Sequence, residues 1–519
     1  MNRTNNTLRL LSDYLEKSAR NYPGKTALVY NQKRISYQEL NNKSVRLAKY
    51  LLKIGVKRQD RIAYLLDIQP EFFYLYMAAA RIGAIIVGMG TKLTPPELEY
   101  IVNNSEAEYI FTTSGEKPYI NKIKQVLPHC KNVKRVFIWD EDFENILTQD
   151  YTAFDQILTE RGAELDTDDG LLMVFTSGTT GHPKGALLSH RNIINSSLIE
   201  ADEFASTADD VYINNMPINH VGGAIVAGST PIFTASTIVL LEKFSPAKTM
   251  QLIETEKVSI LGQIPTQYMM EFNLPDYDQY DKSSLRIVHF GGSMPSANIL
   301  AKVFTTMCAN VYNCLGLTEA SGIVSYTPPG SDIEILSKSV GSCIPEVEWK
   351  LVDENRKAVA PGEVGQIAYR GPTIIKEYYK LPQATRQAID EEGWFYSGDL
   401  FYEDANGLLI FMGRKHDMFI TGGENVYPAE VEKAICSYEK VQTVAVLGIP
   451  DNIYGEIGCA YIIPKAGCTI DEADMENYLK KKLAKYKIPK KFIFRDELPL
   501  NPVGKIAKKI LKEEIFSTL

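Results

Sequence analysis

One ten-residue segment of the chain combines the residue types that can hold a phosphate group. The run TSGTTGHPKG occupies positions 176–185 and follows an apolar stretch, Leu171–Phe175. Its three glycines permit a sharp turn that exposes backbone N–H groups, and its four hydroxyls and Lys184 can add hydrogen bonds and charge. Because Lys184 is followed by Gly185 and a second apolar run, the segment does not match the P-loop pattern. A Gly/Thr-rich surface turn is the alternative interpretation.

Further short motifs with polar or glycine-rich residues follow along the chain. They are MPINHVGG at 216–223, GGSMP at 291–295, NCLGLTE at 313–319, WFYSGDL at 394–400, GRKHD at 413–417, TGGENVYPAE at 421–430 and LPLNPVGKI at 498–506. A lone histidine, carboxylate or terminal lysine is usually structural or solvated. The order and number of these motifs favour a functional interpretation.

Together with the 176–185 segment, the motifs resemble the adenylate-forming superfamily of acyl-CoA synthetases, nonribosomal adenylation domains and firefly-type luciferases. The resemblance covers essentially the whole chain. It departs from the family pattern at Asn219 (usually aromatic), Leu315 (usually Tyr), His416 (usually Asp or Lys) and Asn501 (usually Thr).

The resemblance implies an ATP site, a Mg²⁺ site and a coenzyme A tunnel. The residues implied to bind these cofactors are Thr176, Ser177, Gly178, Thr179, Thr180, Gly181, Lys184, Gly291, Gly292, Ser293, Asn313, Cys314, Leu315, Gly316, Thr318, Asp399, Arg414, Gly422, Gly423 and Lys505. In the family, Glu319 would hold the metal, an oxygen ligand that suits this hard cation. Asp399 would accept hydrogen bonds from the ribose hydroxyls.

The implied catalytic residues are Lys505, Thr176, Glu319 and His220. Asn219, His220 and Gly316 would line the pocket for the acid, and the absent side chain at Gly316 predicts an acid longer than acetate. His416 would be the hinge about which a small C-terminal domain rotates, so that Lys505 leaves and the glycine-rich loop at 421–430 approaches the thiol.

The secondary structure predicted to position these motifs differs between parts of the chain. Apolar runs alternate with helical segments in the first half, for example a helix over Tyr37–Ile54, which predicts an α/β fold with buried strands. Short strands with Gly and Pro over about 340–412 predict an all-β part. The expected fold is a large N-terminal domain, 1–413, with two α/β subdomains and a small β-barrel-like subdomain, and a small mobile α+β domain, 414–519.

Composition excludes several classes of protein. The chain has 519 residues and a net charge of −8, which argues against nucleic-acid binding. Seven cysteines without a C-x-x-C pair argue against a disulfide framework or structural zinc and fit a cytoplasmic location. The stretch Phe72–Gly90 is broken by Arg81, Gly83 and Gly88, so it predicts a core helix running into a strand and not a membrane span. A monomer and a homodimer are both compatible with the sequence.

The predicted function is ATP-dependent, AMP-forming acid–CoA ligation. The alternative is an acyl-adenylate ligase that loads a separate carrier protein. An amino-acid-activating domain is disfavoured because no F-D-x-S segment follows His220. A luciferase-like oxygenase and a nucleotide-binding scaffold without chemistry stay open. The acid is expected to be medium-chain, branched or functionalised, because Asn219, Gln263 and Gln267 suggest some polarity in its pocket.

Overall fold

A computed structural model describes residues 8–114, 119–176, 183–422, 424–501 and 505–517, without the side chains of 140–142. The chain divides into two compact units. The first comprises residues 1–348 and 370–395, and the second comprises residues 349–369 and 396–519.

The strands of the first unit are short and mostly buried. They are β1 (Thr26–Tyr30), β2 (Lys33–Ser36), β3 (Arg61–Leu65), β4 (Ile85–Gly88), β5 (Tyr109–Thr112), β6 (Arg135–Ile138), β7 (Gly170–Thr176), β8 (Lys184–Ser189), β9 (Val211–Asn214), β10 (Thr237–Leu240), β11 (Ile260–Gln263), β12 (Ile287–Phe290), β13 (Val311–Leu317), β14 (Gly322–Tyr326) and β15 (Ser342–Cys343).

Helices cover both faces of these strands. They are α1 (Leu11–Asn21), α2 (Tyr37–Lys53), α3 (Pro70–Ile82), α4 (Pro95–Ser105), α5 (Tyr119–Val126), α6 (Trp139–Thr148), α7 (Asp155–Glu164), α8 (His190–Glu203), α9 (Thr230–Thr234), α10 (Pro246–Glu256), α11 (Pro265–Phe272), α12 (Ala297–Thr306), α13 (Ile333–Lys338) and α14 (Pro382–Ala388). A π-helical segment, Gly222–Ser229, precedes α9.

Two sheets organise the first unit. A six-stranded sheet has the order β6-β5-β3-β4-β7-β8, and a nine-stranded sheet has the order β15-β14-β13-β12-β11-β9-β10-β1-β2. Most neighbours are parallel, with antiparallel pairs at the sheet edges: β7 with β8, β13 with β14, β14 with β15 and β1 with β2. Because helices cover both faces, strands such as β4 are buried at every residue.

The second unit contains two smaller sheets. Its strands are β16 (Glu348–Val352), β17 (Gly365–Arg370), β18 (Phe395–Glu403), β19 (Leu409–Arg414), β20 (Phe419–Thr421), β21 (Glu424–Val426), β22 (Val441–Asp451), β23 (Gly455–Pro464) and β24 (Lys491–Phe494), and its helices are α15 (Pro428–Cys436), α16 (Glu472–Leu479) and α17 (Lys508–Phe516). One sheet has the order β16-β17-β18-β19; the other is built from β20 to β24.

The α/β architecture and the helix that runs into β4 are confirmed. The β-rich part is also confirmed, but its four strands form an open sheet, so the described residues form no closed barrel there. The Lys-rich amphipathic pattern over Glu472–Tyr486 predicts a helix of that length, which is wrong in extent, since α16 ends at Leu479. Three consecutive lysines, 480–482, follow it, and cations are favoured at a helix C-terminus, where they face its carbonyl groups.

Two further expectations concern cysteines and membranes. All seven cysteines lie within the described ranges and are free. Among the helices that the structure describes, none is long and apolar enough to span a bilayer.

Candidate active site

The two ends of the predicted phosphate loop are fixed by strand pairing in the first unit. Thr176, the last residue of β7, pairs with Lys184, the first residue of β8, in an antiparallel register. Ser177, Gly178, Thr179, Thr180 and Gly181 lie outside the described residues. The sequence therefore placed a turn at a point where the chain does reverse between two hydrogen-bonded strands.

Glu319 lies in a tight hairpin at the edge of the nine-stranded sheet. A 3₁₀ turn, Thr318–Ala320, connects β13 to β14. Two residues after the turn have positive φ angles, Ser321 at 62° and Gly322 at 138°. A Cβ atom at Gly316 would lie 2.8 Å from the carbonyl oxygen of Gly322, so the hairpin itself requires a glycine there.

Tyr378 connects Glu319 to Lys184. Its hydroxyl donates a 2.8 Å hydrogen bond to Oε1 of Glu319. The ammonium of Lys184 lies 5.2 Å from the centre of the Tyr378 ring, within the range of a cation–π contact. The predicted phosphate lysine and the predicted metal carboxylate are thus joined through one aromatic residue that carries no recognisable motif.

The backbone around Tyr378 is held by the same elements. Ile375 donates its N–H to the carbonyl of Glu319 at 2.9 Å, and Tyr379 donates to the carbonyl of Gly185 at 2.8 Å. Asn192 of α8 donates through Nδ2 to the carbonyls of Pro372 and Ile374 at 2.9 and 3.0 Å. Tyr378 is therefore fixed on both sides by backbone hydrogen bonds.

The remaining residues implied to bind the nucleotide lie in two segments. One follows the carboxyl end of β12, where ligands bind in open α/β sheets, and the other lies within β13. Gly291, Gly292 and Ser293 follow β12, with Gly292 at φ 79°. Asn313 is buried, and its Nδ2 donates to the carbonyl of Ser339 at 2.8 Å. Cys314 is also buried, which raises the pKa of its thiol far above the ordinary value. The side chains of Asn313 and Cys314 are thus committed to the protein interior, whereas Leu315 and Gly316 are partly accessible.

The segment predicted to line the acid pocket joins β9 to the π-helical segment. A Cβ atom at Gly88 would lie 2.9 Å from Cα of Asn219, so this glycine allows the segment to lie against β4. The Tyr64 hydroxyl donates to the carbonyl of Ile218 at 2.7 Å. His220 is partly exposed, and its N–H donates to the carbonyl of Pro217 at 3.1 Å.

Asp399 and Arg414 form an ion pair in the second unit. They are partners in the β18–β19 register, and Nε of Arg414 lies 2.6 Å from Oδ1 of Asp399. Asp399 is only 6% exposed, whereas Arg414 is exposed. The attraction between the two charges constrains the carboxylate within β18.

Lys505 is exposed, and the charges of this ion pair act on its ammonium group. Its N–H donates to Oδ1 of Asn501 at 2.9 Å, and its carbonyl accepts from the N–H of Asn501 at 2.7 Å. Partial desolvation lowers the pKa of the Lys505 ammonium, the charge of Arg414 lowers it further, and that of Asp399 raises it. Three charged groups from separate motifs therefore influence one another electrostatically within one unit.

The predicted hinge and thiol loop are also in the second unit. His416 is exposed, and desolvation and the charges of Arg414 and Lys415 lower the pKa of its imidazole, while Asp417 opposes them. Gly422 has a φ of 59° and donates its N–H to the carbonyl of Tyr454 at 2.8 Å. Gly423 lies outside the described residues. A hinge motion and the 413/414 domain boundary stay predictions.

Comparison with known protein families supports the motif analysis. The model of the AMP-binding enzyme family matches residues 15–379, and the model of the AMP-binding enzyme C-terminal domain matches residues 430–505. The two matches together contain the Glu319 hairpin, Tyr378 and Lys505.

Individual proteins are similar over almost their whole length. A putative acyl-CoA synthetase, YngI, of Bacillus subtilis is 30% identical, with 96% of each chain covered. The indoleacetate–CoA ligase of Aromatoleum aromaticum is 31% identical, again with 96% of each chain covered. The crystal structure of ATP-bound MatB from Rhodopseudomonas palustris has a TM-score of 0.85 at 29% identity and covers 98% of each chain.

Proposed function

We propose a division of roles among the residues of this chain, which belongs to the AMP-binding enzyme family and is an AMP-forming acid–CoA ligase. Residues of the first unit bind the acid and the triphosphate of ATP. Residues of the second unit bind the ribose and stabilise the transferred α-phosphoryl group. The observation that carries this proposal is the Arg414–Asp399 ion pair, whose charges act on the ammonium of Lys505 in a separate motif.

The first half-reaction overcomes the low reactivity of a carboxylate. One oxygen of the acid forms a bond to the α-phosphorus of ATP, and the bond from that phosphorus to the bridging oxygen of the β-phosphate breaks. The products are an acyl adenylate and pyrophosphate. Charge that develops on the phosphoryl oxygens is stabilised best by fixed cations. Lys505 is proposed for the α-phosphoryl group, and Lys184 for the β- and γ-phosphates.

Glu319 is the proposed ligand of Mg²⁺. Within the described ranges, no cluster of three or more His, Cys, Asp and Glu side chains could enclose a metal. A single carboxylate still fits Mg²⁺, which retains water ligands and binds largely through substrate phosphates. When bound, the ion would neutralise phosphate charge; Tyr378 would orient the Glu319 carboxylate by its hydrogen bond.

Asp399 is the proposed ribose ligand. Because Arg414 already holds one of its oxygens, the carboxylate is oriented before the nucleotide arrives. In this proposal Thr176 and Thr318 add hydroxyl contacts to the phosphates. Gly291, Gly292, Ser293, Leu315 and Gly316 offer backbone contacts to adenine.

The second half-reaction transfers the acyl group to coenzyme A. The thiolate sulfur forms a bond to the acyl carbonyl carbon, and the bond from that carbon to the AMP oxygen breaks. His220 and Asn219 are proposed to line the acid pocket. Gly422 lies in the loop proposed to line the thiol tunnel, and His416 is the proposed pivot between the two half-reactions.

The acid is proposed to be longer than acetate. The β13–β14 hairpin itself also requires a glycine at position 316. The absence of a side chain there therefore has a second explanation besides the length of the acid pocket. A Mg²⁺ requirement, a cytoplasmic location and a monomeric or dimeric state also remain predictions.

The decisive experiment follows both products in one assay. The purified chain is mixed with ATP, Mg²⁺, coenzyme A and a panel of carboxylic acids, and AMP, pyrophosphate and acyl-CoA are quantified by chromatography and mass spectrometry. We expect equal amounts of AMP and acyl-CoA with at least one acid, and pyrophosphate without acyl-CoA release when coenzyme A is omitted.

Two outcomes would contradict the proposal. Formation of ADP and phosphate would exclude an acyl-adenylate intermediate. Adenylate formation that coenzyme A does not discharge, but a phosphopantetheinylated carrier protein does, would favour the carrier-loading alternative.

A further inference from the structure

Two neighbouring strand ends of the nine-stranded sheet carry amide side chains. Ile260 of β11 pairs with Tyr212 of β9 in a parallel register, so three residues further along Gln263 is level with Asn215. Leu261 and Ile213 belong to one apolar cluster. Because side chains alternate along a strand, Gln263 and Asn215 lie on that same face.

Three of the four polar atoms of these amides are buried without a hydrogen-bond partner in the described part of the chain. Asn215 is 3% exposed and Gln263 is 2% exposed. Among the described residues, no hydrogen-bond partner is present for Nδ2 or Oδ1 of Asn215, nor for Oε1 of Gln263. Unpaired buried polar atoms are costly and rare, so a ligand or ordered water is expected beside them.

A carboxyl group completes this set, which we name the amide cluster (Asn215, Gln263 and Glu271). Nε2 of Gln263 donates to Oε1 of Glu271 at 2.8 Å. Glu271 is fully buried, and its Oε2 has no partner in the described part of the chain. The pairing across eight positions of sequence holds the Gln263 amide in one orientation and leaves its oxygen available.

Gln263 and Asn215 of the amide cluster are at the ends of two strands that adjoin segments proposed to bind substrates. In the strand order β12-β11-β9, one neighbour of β11 is β12, which leads to the turn at Gly291, Gly292 and Ser293. Gly291 of that turn donates its N–H to the Gln263 carbonyl at 3.2 Å. On the other side, Asn215 begins the segment that continues to Asn219 and His220. The carboxyl ends of parallel strands are where such folds bind ligands.

We propose that the amide cluster recognises a hydroxyl group on the carboxylic acid, so that the preferred substrates of this ligase are hydroxylated acids. The inference rests on the proposed function, because it assigns the substrate class of that same active site. A hydroxyl both donates and accepts a hydrogen bond, which matches the unpaired carbonyl oxygen of Gln263 and the unpaired amide of Asn215.

The burial of the amide cluster also favours an uncharged substituent on the acid. Desolvation raises the pKa of the Glu271 carboxyl to about 8, although the hydrogen bond from Gln263 lowers it. At neutral pH the group is therefore mainly a neutral acid with an O–H donor. An ammonium or a second carboxylate on the substrate would have to be desolvated beside a cluster of neutral groups.

The test uses pairs of acids that differ by one oxygen. Octanoate is compared with hydroxyoctanoates substituted at successive carbons, and phenylacetate with its ring-hydroxylated forms, by kcat/KM for acyl-CoA formation. For the wild-type chain we expect at least about a tenfold preference for one hydroxylated member, because its absence leaves buried polar atoms unpaired. In Gln263→Met, which conserves volume, the preference is expected to fall to within about twofold.

Matched variants separate recognition from stability. Gln279→Met makes the same substitution at an exposed glutamine outside the proposed site, so it should retain the preference. If Gln263→Met does not fold, Asn215→Leu removes the neighbouring amide with little change in volume and should reduce the same ratio. Thermal unfolding checks that each variant is folded.

The outcomes of this test distinguish failure of the substrate inference from failure of the proposed function. If unsubstituted acids are activated as well as hydroxylated ones and Gln263→Met changes nothing, the amide cluster holds only buried water; the ligase function stands and the inference fails. A preference for amino-substituted acids would also overturn it. If no acid yields AMP, the proposed function itself fails.

Discussion

The charged groups of the two units are fixed in different ways. In the first unit, Lys184, Tyr378 and Glu319 are positioned mainly by backbone pairing: β8 against β7, the β13–β14 hairpin and the N–H of Ile375. In the second unit, Asp399 and Arg414 hold one another by charge, and Lys505 is in a turn that the side chain of Asn501 helps to close.

The positions of the charged groups in the first unit therefore depend mainly on the backbone, whereas those in the second unit depend also on the charges of neighbouring side chains. Removing one side chain from the first group leaves the backbone frame intact, so the remaining groups keep their places. In the second group the side chains act on one another by charge, so a deletion changes the electrostatic environment of the others. The four substitutions below test this contrast, from the largest expected effect to the smallest.

Lys505→Ala is expected to have the largest effect. It removes the cation proposed to stabilise the α-phosphoryl group, and loss of one such group costs about 3–4 kcal/mol, or roughly 10²- to 10³-fold in rate. Adenylate formation, measured as pyrophosphate release, should fall by that factor. Acyl-CoA formation from a supplied acyl adenylate should persist.

The control for this variant is Lys509→Ala, which removes an exposed lysine of α17 with only a long contact to Glu513. It should leave both half-reactions unchanged. Equal loss of both half-reactions in Lys505→Ala would contradict the assigned role.

Tyr378→Phe tests the first group. The change removes the hydroxyl that donates to Glu319 but retains the ring beneath Lys184. One hydrogen bond to a charged group contributes about 1.5 kcal/mol, so adenylate formation should fall about tenfold. The concentration of Mg²⁺ required for half-maximal rate should rise.

The matched control is Tyr379→Phe. Tyr379 is adjacent and is held through its backbone N–H by the carbonyl of Gly185. We expect it to behave as the wild type. A Mg²⁺ dependence that is the same in Tyr378→Phe and the wild type would show that the hydroxyl does not orient Glu319.

Asn501→Ala addresses the side chain that helps to close the turn before Lys505. Loss of the 2.9 Å acceptor for the Lys505 N–H should loosen the turn by about 0.5–1 kcal/mol and slow adenylation about threefold. Asn501→Thr retains an acceptor oxygen and should recover most of the rate. Failure of both variants to differ from the wild type would show that the backbone alone holds the turn.

Arg414→Gln is expected to have the smallest effect of the four, a small shift in the pH dependence of adenylation. The Arg414 charge lowers the pKa of Lys505, so its removal should raise that pKa. Since the protonated lysine is the active form, adenylation is lost as pH rises through the pKa, and the alkaline limb should move upward by about a few tenths of a pH unit. Lys415→Gln, one residue on and exposed, should not move it. A downward shift would contradict the assigned coupling.

Apolar patterning predicted the α/β class, the β-rich segment and the helix that runs into β4. These features are local, because a strand and the turn that follows it are encoded in about ten consecutive residues. The extent of α16 was predicted less well, since the helical pattern continues into a lysine run that ends the helix.

Contacts between distant segments could not be predicted in the same way. Tyr378 reaches Glu319 across 59 positions, and nothing in its neighbourhood distinguishes it from the adjacent Tyr379. Likewise, Gln263 was noted only as a polar residue, and its bond to Glu271 depends on how β11 packs against α11. Such pairings follow from strand order, which the local sequence does not specify.

The close approach of Gly316 to Gly322 has an evolutionary consequence. Shortening the acid pocket with a bulkier residue at 316 would push on the carbonyl of Gly322 and hence on the turn that holds Glu319. If Gly316 lines the acid pocket as proposed, descendants of this protein could not narrow their choice of substrate there without also disturbing the carboxylate proposed to bind Mg²⁺. Selection for smaller acids would therefore have to act through other walls of the pocket, or alter the hairpin first.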